Sequence, residues 1–409
     1  MKSSPSRPRL LPTLLASALL AVAASSPAAA QQAGDVIAAS RYQADWLPSR
    51  TAHAYKLLYA TTDLHGRAAQ STGLVLLPAG QPPHGGWPVV SWAHGTQGIA
   101  DHCAPSVSGP YQPARDARYL DQFLAQGYAV VASDYQGLGS PGEHAYLHGP
   151  SVARNIVDMV KASRAFSATL PASQRTAPRW VSVGHSQGAA AAVMAGHQAS
   201  ALGGPALDFR GTFGTGTPVG VELTALVMKP DNRTANPGAV NAYHAYLLAG
   251  LLQVAPEIDR VLSAEGRARV AQARQLCLGP LAAALDGANT GDMFSAPLAG
   301  IPGIWPKLQA YLGMPSRGFD RPLLMAHGVH DTDVFYMSTL LYALTLAVHR
   351  QPVAFRSYAV DHWGILDAAG LDGLQFVNAR FAAPKGASFD PATQAAEAAR
   401  LQQQADAAR

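Results

Sequence analysis

Trp180-Val181-Ser182-Val183-Gly184-His185-Ser186-Gln187-Gly188-Ala189-Ala190 is the stretch on which the fold turns. A β-branched run leads into Gly-x-Ser-x-Gly, and an alanine-rich helical pattern follows. That order is a nucleophile elbow, a serine on a strained turn between strand and helix. Gly184 and Gly188 are needed because side chains two residues either side of the serine would collide with neighbouring backbone. The turn exposes the Ser186 hydroxyl and aims the helix N-terminus at negative charge developing beside it.

Outward from the elbow, short apolar runs alternate with helical patterns from about Leu57 to Phe381. This predicts an α/β fold with a mostly parallel central sheet flanked by helices. The expected strands are Leu74–Leu77, Val89–His94, Tyr128–Asp134, Trp180–Gly184, Gly211–Gly214, Leu323–Ala326 and Ala354–Val360. Helical patterns fall at Ala114–Gln126, Ser151–Ser167, Gln187–Ala201, Val334–His349 and Ile365–Phe381. From 219 to 319 the alternation stops, and such a length is too great for a loop. It predicts an inserted helical cap, or lid, that divides the core into 31–218 and 320–381. The Ala- and Gln-rich segment 382–409 lacks an apolar stripe and predicts a solvated tail.

A serine hydroxyl is a weak nucleophile and needs a base, which an acid must orient. In this architecture acid and histidine follow the serine in that order. Pro322 to Ala326 reads as a strand, and His327-Gly328-Val329-His330-Asp331-Thr332-Asp333-Val334 as the loop after it. Asp331 fits a Gly-x-x-Asp-x-x-Val pattern and is the expected acid, with Asp333 as the alternative. His362 follows the last predicted strand and is the expected general base. The first oxyanion donor is the backbone N–H of Gln187, the residue after the nucleophile. The second is expected from Thr96 or Gln97, in the loop Ala93-His94-Gly95-Thr96-Gln97-Gly98; His94 and Gly95 are expected to order that loop.

Two other groupings lose on inspection. His327, His330, Asp331 and Asp333 resemble metal ligands by composition, but they lack the helical i, i+4 histidine spacing of a zincin. Asp134-Tyr135-Gln136-Gly137-Leu138-Gly139 has no following lysine and falls short of Gly-x-Gly-x-x-Gly, so a structural turn is expected. Neither a metal nor a cofactor is expected.

The whole chain carries 30 basic and 26 acidic residues in 409, a net charge of +4. Residues 1–30 hold Lys2, Arg7 and Arg9 and no acid, so without them 27 basic residues face 26 acidic ones. That segment has a positive start, an apolar run from Leu10 to Ala24 and small residues before Gln31, the pattern of a cleaved signal peptide. Export to the periplasm or the exterior is expected. The remaining near-neutral chain has no polybasic stretch to suggest nucleic acid. Its two cysteines, Cys103 and Cys277, are too few for a structural zinc site, and an oxidising compartment favours pairing them.

With Ser186, Asp331 and His362 in order, the chain looks like an α/β-hydrolase, and with Ala93-His94-Gly95-Thr96-Gln97-Gly98-Ile99-Ala100-Asp101-His102-Cys103-Ala104-Pro105-Ser106 it resembles the secretory lipase family over about residues 40–381. The resemblance implies carboxylic-ester hydrolysis, a helical cap between the sixth and seventh strands, and a disulfide from Cys103 in the oxyanion loop to Cys277 in the cap. The expected function is an exported lipase or esterase that meets a small-molecule or lipid ester, with transient contact between the cap and a lipid interface and no obligate protein partner. Apolar cap stretches Tyr246–Leu252 and Ile301–Tyr311 are expected either to line an acyl pocket or to form ordinary cap core. The alternatives are a peptidase of the same fold, an esterase of cell-wall or polymeric esters, and a non-enzymatic binding module.

Overall fold

A computed structural model describes residues 31–384. The signal-peptide reading of 1–30 and the tail from residue 385 lie outside the described residues. The Trp180–Gly184 run lengthens at both ends into strand β6, Thr176–His185, whose last six residues are all buried. Alternate residues of that strand serve different faces. Trp180 packs with Tyr59, Met159 and Phe209 beneath the helices Gly149–Ala168 and Gln187–Gly203. Val181 and Val183 pack with Phe123, Phe213 and Val377 beneath Pro113–Ala125 and Gly370–Ala382. A strand covered on both faces reads as a continuous apolar run, which is why this one was visible in the sequence.

The other strands are β1 Val36–Arg41, β2 Thr51–Thr62, β3 Ala68–Pro78, β4 Trp87–Ala93, β5 Ala129–Ser133, β7 Asp208–Thr215, β8 Leu323–Gly328 and β9 Val353–Tyr358. They form one sheet in the order β1-β2-β3-β5-β4-β6-β7-β8-β9. Pairs from β5 through β9 are parallel, while β1, β2 and β3 join antiparallel. The seven expected strands are present, and β1 and β2 are additions. Their sequences, with Ser40, Arg41, His53 and Lys56 interrupting the apolar residues, suit a partly exposed sheet end.

Strand β4 lies between β5 and β6, so the chain leaves it in opposite directions and opens a crevice at the strands' carboxyl ends, where open α/β sheets bind ligands. His94–Gln97 follow β4 there, and Ser186 follows β6.

Between β7 and β8 lie the helices Val221–Leu226, Gly238–Leu252, Ala264–Ala273, Leu278–Ala284 and Ile304–Leu312. They enclose a core of their own, with Tyr246, Leu248, Leu251, Ile258, Leu281 and Leu308 buried together. The pattern expected as one helix over Ile365–Phe381 is two, Ile365–Ala368 and Gly370–Ala382, with the break at Ala369. The second runs through Ala382, so the expected tail boundary falls inside it. Among the described residues no helix is long and apolar enough to cross a membrane.

Candidate active site

Ser186 caps the helix Gln187–Gly203 at φ 58°, a left-handed conformation that a non-glycine residue adopts at a cost. The flanking glycines make the turn possible. A Cβ on Gly184 would stand 2.1 Å from the Gly188 carbonyl oxygen, and one on Gly188 would stand 1.9 Å from that of Ala93. Both would force the backbone apart, which separates this elbow from an ordinary Gly-Ser turn.

The Ser186 hydroxyl donates to His362 Nε2 at 2.9 Å. His362 Nδ1–H donates to Asp331 Oδ2 at 2.7 Å. Because the carboxylate can only accept, the proton sits on Nδ1, and Nε2 presents its lone pair to the serine. The other carboxylate oxygen, Asp331 Oδ1, accepts the N–H groups of Asp333 at 2.9 Å and Val334 at 2.7 Å. Burial pushes the Asp331 carboxyl up, but hydrogen bonds from His327 and His362 and the charge of His362 outweigh it and hold the group below the usual range.

The structure separates the two acids weighed from the sequence. Asp331 faces His362, whereas Asp333 turns towards the cap and accepts from the Tyr243 hydroxyl at 3.0 Å. Burial raises the Asp333 carboxyl. His327 lies against Asp331 and His330 is exposed, so the four candidate metal ligands do not converge. Among the described residues the grouping of three possible ligand atoms within 4.8 Å is His102, Cys103 and Cys277, whose sulfurs are already bonded to each other.

Gln187 begins a helix, so its backbone N–H has no acceptor within that helix. Its side-chain amide donates to His144 Nε2 at 3.0 Å, while His144 Nδ1–H donates to the Gln136 carbonyl at 3.1 Å. His144 is thereby held neutral, and burial lowers it to about 4. Across from Gln187, a Cβ on Gly95 would be 3.6 Å from Ser186 Cβ, so the loop passes directly beside Ser186. His94 Nδ1–H holds the Gly95 carbonyl at 2.8 Å. The Asp134–Gly137 segment braces that loop as a turn: Tyr135 donates to the His94 carbonyl at 3.1 Å.

Thr96 Oγ1 pairs with the Tyr146 hydroxyl at 2.7 Å. Gln97 is engaged with other groups: its carbonyl accepts Leu278 N–H at 2.8 Å and its Oε1 accepts Tyr111 N–H at 2.6 Å. Cys103 and Cys277 are joined in a disulfide with Cα atoms 5.5 Å apart, one residue before Leu278. Loop and cap are therefore tied twice within a few residues.

Sequence reasoning missed three contributors. His327 was weighed only as a metal ligand. Gly216, with φ +60°, leaves room for the triad; a Cβ there would lie 3.1 Å from His362 Nδ1. Tyr243 was hidden in a cap helix pattern. Its spacing to Val240 and Leu247 was the available signal, since those three share one helix face.

That face lines a cavity of about 120 Å³ beside Ser186, closed on the core side by Val219, Val334 and Phe335. Of the two apolar cap stretches, Leu247 reaches this cavity; Tyr246, Leu248 and Leu251, like Leu308, are cap core.

A profile of the family described as Secretory lipase matches residues 111–297, from just before the helix Pro113–Ala125 through most of the cap. Lipase A of Moesziomyces aphidis is 26% identical over 373 residues, covering 85% of this chain and 76% of that protein. Over residues 111–297 the chain is similar to the secretory lipase family. These likenesses support a hydrolase of the lipase and esterase kind. A Mycobacterium tuberculosis relative, 26% identical over 302 residues and covering 68% of this chain and 62% of its own length, is named a probable inactive lipase. The family name therefore does not by itself carry activity, and the residues present must be read individually. The closed state of Candida antarctica lipase A shares the fold, with a TM-score of 0.68 at 22% identity over 86% of this chain and 83% of that one.

Proposed function

We propose that the protein is an exported serine carboxylic-ester hydrolase, an esterase or lipase acting through Ser186, His362 and Asp331. The observation that carries this reading is the unbroken chain of hydrogen bonds from Ser186 Oγ at 2.9 Å to His362 and on at 2.7 Å to Asp331. Ser186 attacks the ester carbonyl while His362 Nε2 takes its proton. The backbone N–H groups of Gln187 and of the Thr96–Gln97 segment receive the oxyanion. His362 then protonates the leaving alcohol, and a water activated by the same imidazole releases the acid from the acyl-serine. Asp331 keeps Nδ1 protonated and stabilises the imidazolium without itself taking the proton.

The mainly apolar cavity of about 120 Å³ takes the acyl chain. The family, the disulfide and the leader pattern of residues 1–30 support an exported enzyme. A p-nitrophenyl ester series from acetate to palmitate, run beside aminoacyl p-nitroanilides, tests the assignment. Hydrolysis of the esters far above that of the anilides is expected. Preference for the anilides would replace the reading with a peptidase.

A further inference from the structure

A narrow polar recess shares Ser186 and Tyr243 with the apolar cavity but has different walls: Arg115, His185, Tyr111, Trp363 and the Thr96–Gln97 segment. Arg115 comes from the helix Pro113–Ala125, and its side chain is 12% exposed. Asp116 fixes one edge of the guanidinium, holding Nε at 2.8 Å and Nη2 at 2.7 Å. The remaining nitrogen, Nη1, is buried and meets no acceptor. The guanidinium also lies 5.6 Å from the Trp363 ring centroid, and Trp363 lies 5.7 Å from Tyr111.

His185 adds a second unsatisfied atom. It is 1% exposed, its Nδ1 stands 3.1 Å from Thr215 Oγ1, and its buried Nε2 has no partner. Thr215 Oγ1–H is directed to the Gly184 carbonyl at 3.4 Å, so Nδ1–H of His185 donates to the threonine oxygen and Nε2 carries a lone pair. Arg115 and His185 both line the recess, and each carries one buried nitrogen without a partner, a strong donor and an acceptor. Leaving such groups unpaired carries a penalty, and a ligand that satisfies both removes it.

A hydroxyl group both accepts and donates. Resting on the ester-hydrolase reading of Ser186, we propose that this recess is the alcohol-side subsite and selects esters whose alcohol carries a further hydroxyl, as in partial esters of polyols, with Arg115 and His185 reading that hydroxyl. The apolar cavity beside Ser186 suits an acyl chain, which leaves the polar recess to the alcohol. Tyr111 and Trp363 supply flat apolar faces for the C–H side of such an alcohol.

The test compares 2,3-dihydroxypropyl butyrate with propyl butyrate, which share the acyl group and the three-carbon chain. In the full-length enzyme, acid release should favour the dihydroxy ester by roughly tenfold in kcat/KM, the worth of one hydrogen bond to a charged donor. Arg115→Lys keeps a cation beside Asp116 but deletes the forked donor, and Arg115→Met deletes both. In each the preference should fall below about threefold. A native ratio near one, or a ratio unchanged in both variants, overturns the subsite. Phosphonate labelling of Ser186 in every variant keeps the two claims apart: a labelled enzyme with an unchanged ratio contradicts the subsite alone, and failure to label contradicts the ester-hydrolase reading and the subsite with it.

Discussion

His327 Nε2 stands 3.0 Å from Asp331 Oδ2, the same oxygen that accepts from His362 Nδ1 at 2.7 Å. It is also 3.1 Å from the Val334 carbonyl, and its ring is fully buried. Nδ1 of His327 is buried without a partner, so the neutral Nε2–H form fits the site. One histidine therefore holds the acid in place while another bridges it to Ser186. His327→Phe removes that donor and frees the carboxylate to turn away from His362. The expected loss in kcat is about tenfold, from a hydrogen bond to a charged group, with KM little changed. His327→Gln, which retains an N–H donor, should recover part of it. Steady-state kinetics beside a thermal melt separate this effect from unfolding.

Gly216 sits at φ +60°, with the triad histidine packed against its α-carbon. Gly216→Ala combines a left-handed alanine, worth about 1 kcal/mol, with a contact of 3.1 Å to His362 Nδ1 and Cε1. The variant should lose activity out of proportion to its modest fall in Tm. Equal activity with lowered Tm would mean that the imidazole moves without consequence.

Acid should destabilise the fold before it reaches the carboxylates. Burial lowers His144 and His244 to about 4; burial, with the charge of Arg154 next, does the same to His148. A histidine whose folded pKa lies below its unfolded value of about 6.5 contributes its full stability above pH 6.5. That contribution is lost as pH falls towards 4, by up to about 1.4 kcal/mol per pH unit for each group. Chemical denaturation midpoints should therefore drop between pH 6.5 and 4. His144→Gln, which can still pair with Gln187, should flatten part of that slope.

The Cys103–Cys277 bond closes a 174-residue separation. In the chain-entropy model such a loop is worth roughly 5 kcal/mol, with less often realised. Cys103→Ser with Cys277→Ser should lower Tm clearly and should reduce kcat more than KM is raised, because the Gln97 carbonyl bound to Leu278 N–H sits beside the oxyanion loop. Intact mass after alkylation, with and without reductant, checks that the native pair is closed.

The candidate triad was legible because each member sits within a few residues of a strand end, where local pattern carries the information. Gly184, Ser186 and Gly188 declare a turn, Asp331 follows a buried apolar run, and His362 follows the last strand. Strands β1 and β2 left a weaker trace because partly exposed strands admit Lys56, His53 and Arg41 among their apolar positions. His327, Arg115 and His185 could not be ranked from sequence, since their roles depend on atoms contributed by distant elements. The cap helix Gly238–Leu252 shows the same limit. It is apolar nearly all round, and only packing distinguishes the face of Val240, Tyr243 and Leu247 that meets the cavity from the face that forms cap core.

The central claim is that Ser186 is the nucleophile, and a fluorophosphonate followed by peptide mass spectrometry tests it most directly. The expected result is one adduct, on the peptide containing Gly184-His185-Ser186-Gln187-Gly188, formed in step with loss of butyrate-ester hydrolysis and abolished in Ser186→Ala. Full inhibition with the adduct on another residue, or near-native hydrolysis by Ser186→Ala, would contradict it.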